Sequence, residues 1–134
     1  MNKRRSLRRL AVFAVVLGLG VCVLPAHGAE GKLAHMVFFT LKDQSNGAKE
    51  KLVSSCRKYL ADHEGVLHFS VGTIAEDVKE PVSDRDFDVA LHLIFRDKEA
   101  GANYLKSDRH QQFVEANKET FAKVRVFDSY LAAP

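Results

Sequence analysis

Residues 66–96 read VLHFSVGTIAEDVKEPVSDRDFDVALHLIFR, and they decide the fold because they hold two strands with no helix between them. From Val66 to Ala75, Leu67, Phe69, Val71 and Thr73 alternate with His68, Ser70, Gly72 and Ile74, the two-residue period of a strand. From Asp86 to Arg96, Phe87, Val89, Leu91, Leu93 and Phe95 fall on one face, and Ala90, His92 and Ile94 on the other. The charged stretch between them, Glu76 to Arg85, contains Pro81 and no helical period, so it reads as a long connection.

Upstream, HMVFFTLK over residues 35–42 predicts another strand, with His35, Val37, Phe39 and Leu41 on one face and Met36 and Phe38 on the other. Both faces are apolar, so this strand needs cover on both sides. Asn46-Gly47 interrupts it. Ala48 to His63 then places Leu52, Cys56, Tyr59, Leu60 and His63 at helical spacing, with Gly65 as a stop. Downstream, Asp97 to Lys106 and Asp108 to Phe121 read as a helix in two pieces, and Lys123 to Leu131 as a closing strand. The order β-α-β-β-α-β predicts an α+β, ferredoxin-like domain with an antiparallel sheet and both helices on one face. Two helices cover only one side of four strands, yet Met36, Phe38, Ala90 and Ile94 make the other side apolar too. The expected partner for that open face is a second copy, giving a homodimer with sheets face to face.

The first 28 of the 134 residues read separately. Lys3, Arg4, Arg5, Arg8 and Arg9 precede an uncharged apolar run from Leu10 to Leu24, followed by Pro25 and Ala26-His27-Gly28. This is the order of a secretory signal peptide, and the run is shorter than the ~20 residues of a spanning helix. Residues 1–28 are therefore expected to be a signal peptide cleaved after Gly28, leaving residues 29–134 as a single exported domain, periplasmic or secreted, with no stable membrane anchor. A retained membrane anchor, lipidation at Cys22 and twin-arginine export through Arg4-Arg5 are the alternatives. The full chain carries a formal charge of +3, but without the leader fifteen Lys and Arg face seventeen Asp and Glu, a net −2. That balance gives no reason to expect nucleic acid as a partner. Cys56 is then alone, and its position among Leu52, Val53, Tyr59 and Leu60 reads as a buried thiol.

The residues that could carry chemistry lie in YLKSDRHQQF, residues 104–113, and at His35. Asp108 followed by Gln111 resembles a capping box, which places His110 in the first turn of a helix, where the dipole disfavours imidazolium. His110 can then accept a proton, Tyr104 can orient or donate, and His35 can point into the same gap. Val37, Phe39, Val89, Leu91 and Phe113 are expected to wall a cavity suited to a small, largely apolar ligand. The competing reading makes Tyr104 and His110 ordinary packing and helix-end residues. His68 and His92 read as sheet-face packing, and His63 as a helix-end residue bonded to last-turn carbonyls. Asp84, Asp86 and Asp88 read as a solvated strand entrance, since no glycine or distal glutamate completes a calcium loop. No metal site is expected, no cofactor is called for, and no nucleophile elbow, phosphate loop or dinucleotide fingerprint occurs.

AHMVFFTLK, FDVALHLIF, YLKSDRHQQF and VRVFDSYL together resemble the Dabb family, the stress-responsive dimeric α/β-barrel domain, over roughly Lys32 to Leu131. The resemblance implies a homodimer whose two sheets make a barrel. More distantly the chain is similar to the plant olivetolic acid cyclase of that family, which implies a general acid-base pair at His110 and Tyr104 and a pocket histidine at His35. Val89 stands where that cyclase has a further histidine, and Ser107-Asp108-Arg109-His110 where family members commonly read His-Pro-x-His. The function expected is that of an exported stress-responsive homodimer binding a small apolar ligand between sheet and helices. A cofactor-free cyclase or lyase, and an assembly domain with a packed interior, are the alternatives.

Overall fold

The computed structural model describes residues 31–132, so the expectations for the leader lie outside the described residues. Four strands and three helices follow in the order β1 (Leu33–Leu41), α1 (Asn46–Leu60), β2 (Val66–Thr73), β3 (Val89–Phe95), α2 (Lys98–Lys106), α3 (Asp108–Asn117) and β4 (Phe121–Tyr130). A single 3-10 turn, Lys118–Thr120, joins α3 to β4. The sheet order is β2-β3-β1-β4 and every neighbouring pair is antiparallel. This is the ferredoxin-like α+β arrangement, and the two central strands are the two most apolar ones. Among the described residues no helix is long and apolar enough to cross a membrane.

The core forms where the inward faces of β1 and β3 meet the helices. Val37, Phe39, Leu41, Val89, Leu91, Leu93 and Phe95 pack there against Leu52, Cys56, Leu60, Ala100, Tyr104 and Phe113. Each large side chain so buried contributes about 1.5–3 kcal/mol of hydrophobic stabilisation. The Cys56 thiol is fully buried among them, and burial pushes its pKa up to about 12, which makes it inert.

Local signals account for the element ends. Ser45 caps α1, its Oγ accepting the Ala48 N–H, and Arg57 and Lys58 lie in the last turn, where cations favour the dipole. Asp97 caps α2 by accepting the Ala100 N–H at 2.7 Å. Gly65, at φ +80°, turns the chain into β2, and a Cβ there would stand 2.5 Å from the Ala100 Cβ, so only glycine fits both the conformation and the space.

Three expectations from the sequence are corrected. Val66 pairs with Phe95 and His68 with Ile94, so Leu67 is squeezed out as a bulge; Val66, not Leu67, packs on the core. Phe87 precedes β3 and stacks edge-on to Phe38, 5.0 Å between centroids, on the open sheet face rather than beside Val89. Asp88 is not solvated: it is buried, its Oδ2 accepts the Leu41 N–H at 2.8 Å, and its Oδ1 lies 3.8 Å from the buried Lys49 ammonium. The hydrogen-bonding need of the chain at the end of β1 pulls this carboxylate inward.

The helical layer also covers its own side of the sheet incompletely. The register of β4 against β1 places Val124, Val126, Asp128 and Tyr130 on the helix side, opposite Phe39, Val37, His35 and Leu33. Yet Val124, Val126 and Tyr130 are exposed. The helices pack over β2, β3 and β1, and a gap opens along the inner side of β4.

Candidate functional site

The break between α2 and α3 positions the site. Ser107 is extended at ψ 147°, its backbone N–H bonds back to the Tyr104 carbonyl, and its hydroxyl accepts the His110 N–H at 3.2 Å. Ser107, not Asp108, is thus the cap of α3. Asp108 moves into the first turn, where a carboxylate favours the dipole, and Gln111 bonds the Lys106 carbonyl instead of completing a capping box. His110 remains a first-turn residue.

Tyr104, on the last turn of α2, is buried at the centre of a ring of imidazoles. Its ring centroid lies 4.9 Å from His110, 4.9 Å from His63 and 6.2 Å from His35, each in an edge-on arrangement, and 5.1 Å from Phe95. Tyr104, His110 and His35 are therefore brought together. His63 completes the ring; its Nε2 sits 2.9 Å from the Tyr59 carbonyl, the helix-end bond its position suggests, and its imidazole lies nearly perpendicular to the Tyr104 ring.

His35 has a partner that the sequence did not single out. Its Nδ1 is 2.7 Å from Asp128 Oδ1, a contact set by the pairing of β1 with β4. A proton held on Nδ1 by that carboxylate leaves Nε2 as the free acceptor. The signal for Asp128 lay in the alternation of VRVFDSYL, where an acid interrupts the inward apolar face, but its partner is visible only once the register is fixed.

Burial drives the electrostatics of the cluster. Desolvation pushes the Tyr104 phenol far above its ordinary value, with a smaller push from Cys56, so the hydroxyl stays protonated. Desolvation also lowers the His110 pKa below 6.5, reinforced by His35 and then His63, while a backbone hydrogen bond with Leu105 opposes the shift. At neutral pH the site holds a neutral imidazole beside a protonated phenol, which is the pairing of a proton acceptor with a donor.

A cavity of about 340 Å³ opens in the gap between α2 and β4. Leu33, Phe95, Gly101, Ala102, Leu105 and Tyr130 form its apolar walls, and His35, Asp128, Lys98 and Ser129 supply its polar atoms. Of the residues expected to line a pocket, only His35 borders it. Val37, Phe39, Val89, Leu91 and Phe113 instead close on one another, with Phe39 6.1 Å from Phe113 between ring centroids, because the helices press directly on β1 and β3. Gly101 keeps the cavity wall close to the core: a Cβ there would stand 2.9 Å from Leu33 and 3.4 Å from Phe95. A larger hollow of about 550 Å³, at the opposite end of the domain near Lys42, Lys51, Asn117 and Glu119, touches none of the cluster. Among the described residues no three His, Cys, Asp or Glu side chains are grouped to hold a metal ion.

Comparison with known proteins places this architecture. A Dabb protein of Mesorhizobium loti with a ferredoxin-like fold is similar at 25% identity, over 78% of this chain and 100% of that one, with a TM-score of 0.64. A dimeric ferredoxin-like protein of Thermobifida fusca superposes with a TM-score of 0.63 at 13% identity, over 76% and 92% of the two chains. The hydroxynitrile lyase of Passiflora edulis superposes with a TM-score of 0.62 at 18% identity, over 79% and 97%. No curated protein matches the sequence significantly. Residues 33–131 match the profile of the stress responsive A/B barrel domain, and the chain belongs to that family, Dabb.

Proposed function

We propose that this Dabb protein is an exported homodimer that binds a small, largely apolar ligand in the cavity between α2 and β4. The observation that carries the reading is the cavity itself, whose largely apolar walls are joined by a few polar groups, the hydrogen-bonded His35–Asp128 pair among them. Such a site orients a ligand through one or two polar atoms and gains affinity from the apolar remainder. The leader-like residues 1–28 support export, and the apolar open sheet face, together with the dimeric state of the Thermobifida relative, supports the homodimer. Native mass spectrometry of the purified protein is expected to show a small organic adduct, and Ala102→Trp, which fills the cavity, should abolish it. An adduct that persists in the variant would place the ligand elsewhere.

A second reading is favoured by the Tyr104 cluster: a cofactor-free lyase or cyclase in which neutral His110 removes a proton and the Tyr104 hydroxyl orients the substrate. It requires that His110 be neutral at working pH. The His110 titration followed by proton NMR should therefore have its midpoint below 6.5, and a midpoint above that value would remove the base from the mechanism. Stability carries the same sign. The unfolded chain takes up the proton first, so the contribution of His110 is complete above about pH 6.5 and is lost as pH falls through its folded value.

A further inference from the structure

The cavity has two unlike polar ends, and the direction of α2 fixes where they lie. Gly101 sits against Leu33, where a Cβ would stand 2.9 Å from the leucine Cδ2, and Tyr104 sits beside His35, 6.2 Å between ring centroids. The helix therefore runs alongside β1 in the same direction. Lys98, one turn before Gly101, borders the cavity at the end away from His35 and Asp128. With a rise of about 1.5 Å per helical residue and about 3.3 Å per strand residue, the two ends are on the order of 10 Å apart. Leu33, Phe95, Ala102 and Tyr130 make the apolar stretch between them.

Each end has bonding capacity to spare. Among the described residues Lys98 makes no ion pair, while the adjoining Asp97 carboxylate is taken by Arg96 at 3.0 Å and by the Ala100 N–H at 2.7 Å. Asp128 gives Oδ1 to His35 and is exposed to the cavity, with no partner for Oδ2 among the described residues. A molecule that satisfies both ends carries an anion at one and a hydrogen-bond donor at the other. The reverse orientation sets the anion against the Asp128 carboxylate. A neutral donor suits the Asp128 end better than an ammonium, because a second charge taken from water between apolar walls is costly.

With the reading of this cavity as a ligand site for its basis, we propose that the ligand is a hydroxy acid with an apolar middle. Its carboxylate pairs with Lys98, and its terminal hydroxyl donates to Asp128. Burial of the chain supplies most of the affinity, and the two ends select against molecules of equal length that lack either group. The cavity lies on the helix side of the sheet, so the open face stays free for the second copy.

Titration calorimetry of the full chain with 8-hydroxyoctanoate, octanoate and 1,8-octanediol tests the class, since the three share one chain length and differ only at their ends. The parent is expected to bind 8-hydroxyoctanoate about tenfold more tightly than octanoate, the worth of a hydrogen bond to a charged acceptor. It should exceed the diol about fivefold, the worth of an ion pair at a partly exposed site. Lys98→Glu should erase the preference over the diol, and Asp128→Leu the preference over octanoate. Lys98 is exposed, so its variant keeps the test decisive even if Asp128→Leu fails to fold. Ala102→Trp should abolish binding of all three, and binding that survives it removes the cavity as the ligand site. Binding that is lost in Ala102→Trp but shows no preference for the hydroxy acid in the parent overturns the ligand class alone. A preference over the diol that persists in Lys98→Glu, or no binding of the hydroxy acid by the parent, overturns the class as well.

Discussion

Asp88→Ala is expected to lower folding stability by about 3 kcal/mol or more, a large share of the ~5–15 kcal/mol that holds a domain of this size together. Two losses combine. The Leu41 N–H, which donates to Asp88 Oδ2 at 2.8 Å, is left without its acceptor at a buried position, a cost of about 1–3 kcal/mol. The Lys49 ammonium, itself buried, keeps only Glu76, 3.1 Å away and largely in solvent, as its countercharge. Removing one partner of a buried pair is costlier than removing both, because the remaining charge has already given up its water. Lys49→Met combined with Asp88→Ala should therefore recover part of the loss, a coupling measurable by urea denaturation of the four proteins of the cycle. Asp88→Asn should lie between parent and Asp88→Ala, since its amide oxygen can still accept from Leu41. A loss below about 1 kcal/mol in Asp88→Ala would mean that the carboxylate does not bear on the fold in this way.

Ile94→Glu is expected to convert the proposed dimer into a monomer. Ile94 lies on the open face of the central strand β3, opposite Ala34 on β1 and His68 on β2. It is only half-buried in the single chain, so the fold tolerates a carboxylate that reaches water. In a face-to-face dimer the same carboxylate is taken out of water against the largely apolar face of the second copy. Burying an unpaired charge costs several kcal/mol per subunit, enough to shift dissociation by orders of magnitude. Light scattering should report half the parent mass at the same concentration, with unchanged far-ultraviolet dichroism. Val82→Glu, on a fully exposed connection, should leave the mass unaltered. A parent-sized Ile94→Glu protein would exclude this face as the interface.

The elements were legible because their periods are long and clean. Alternation in HMVFFTLK and VALHLIF defines strands whose inward sets are buried, with Ala90 buried as well on the outward side, and the helix-free link from β2 to β3 sets the split order of the sheet. The exceptions occur where a long-range contact outweighs local pattern. Leu67 is displaced because β2 must keep register with β3 past a bulge, and Asp88 turns inward because a main-chain donor needs it. Neither demand is visible within a window of neighbouring residues.

The candidate site divides along the same line. Helix-start chemistry was readable in Ser107-Asp108-Arg109-His110, and it places His110 where burial and the dipole keep the imidazole neutral. The convergence of Tyr104, His110 and His35 followed from the topology. His63 and Asp128 entered only through packing and register, as did the location of the cavity. Apolar spacing marks which residues leave water, but not whether they meet one another or surround a gap.

By itself the sequence determined the ferredoxin-like order, the apolar character of both sheet faces and the residues able to exchange a proton. Periodicity and side-chain chemistry are local properties that survive without coordinates. Only the tertiary structure decided that the core between β1 and β3 is solid, that the opening lies along β4, and that His68 and His92 converge on Ser70. These are consequences of how far two helices extend across four strands and of strand register, which bring together residues that no sequence spacing relates.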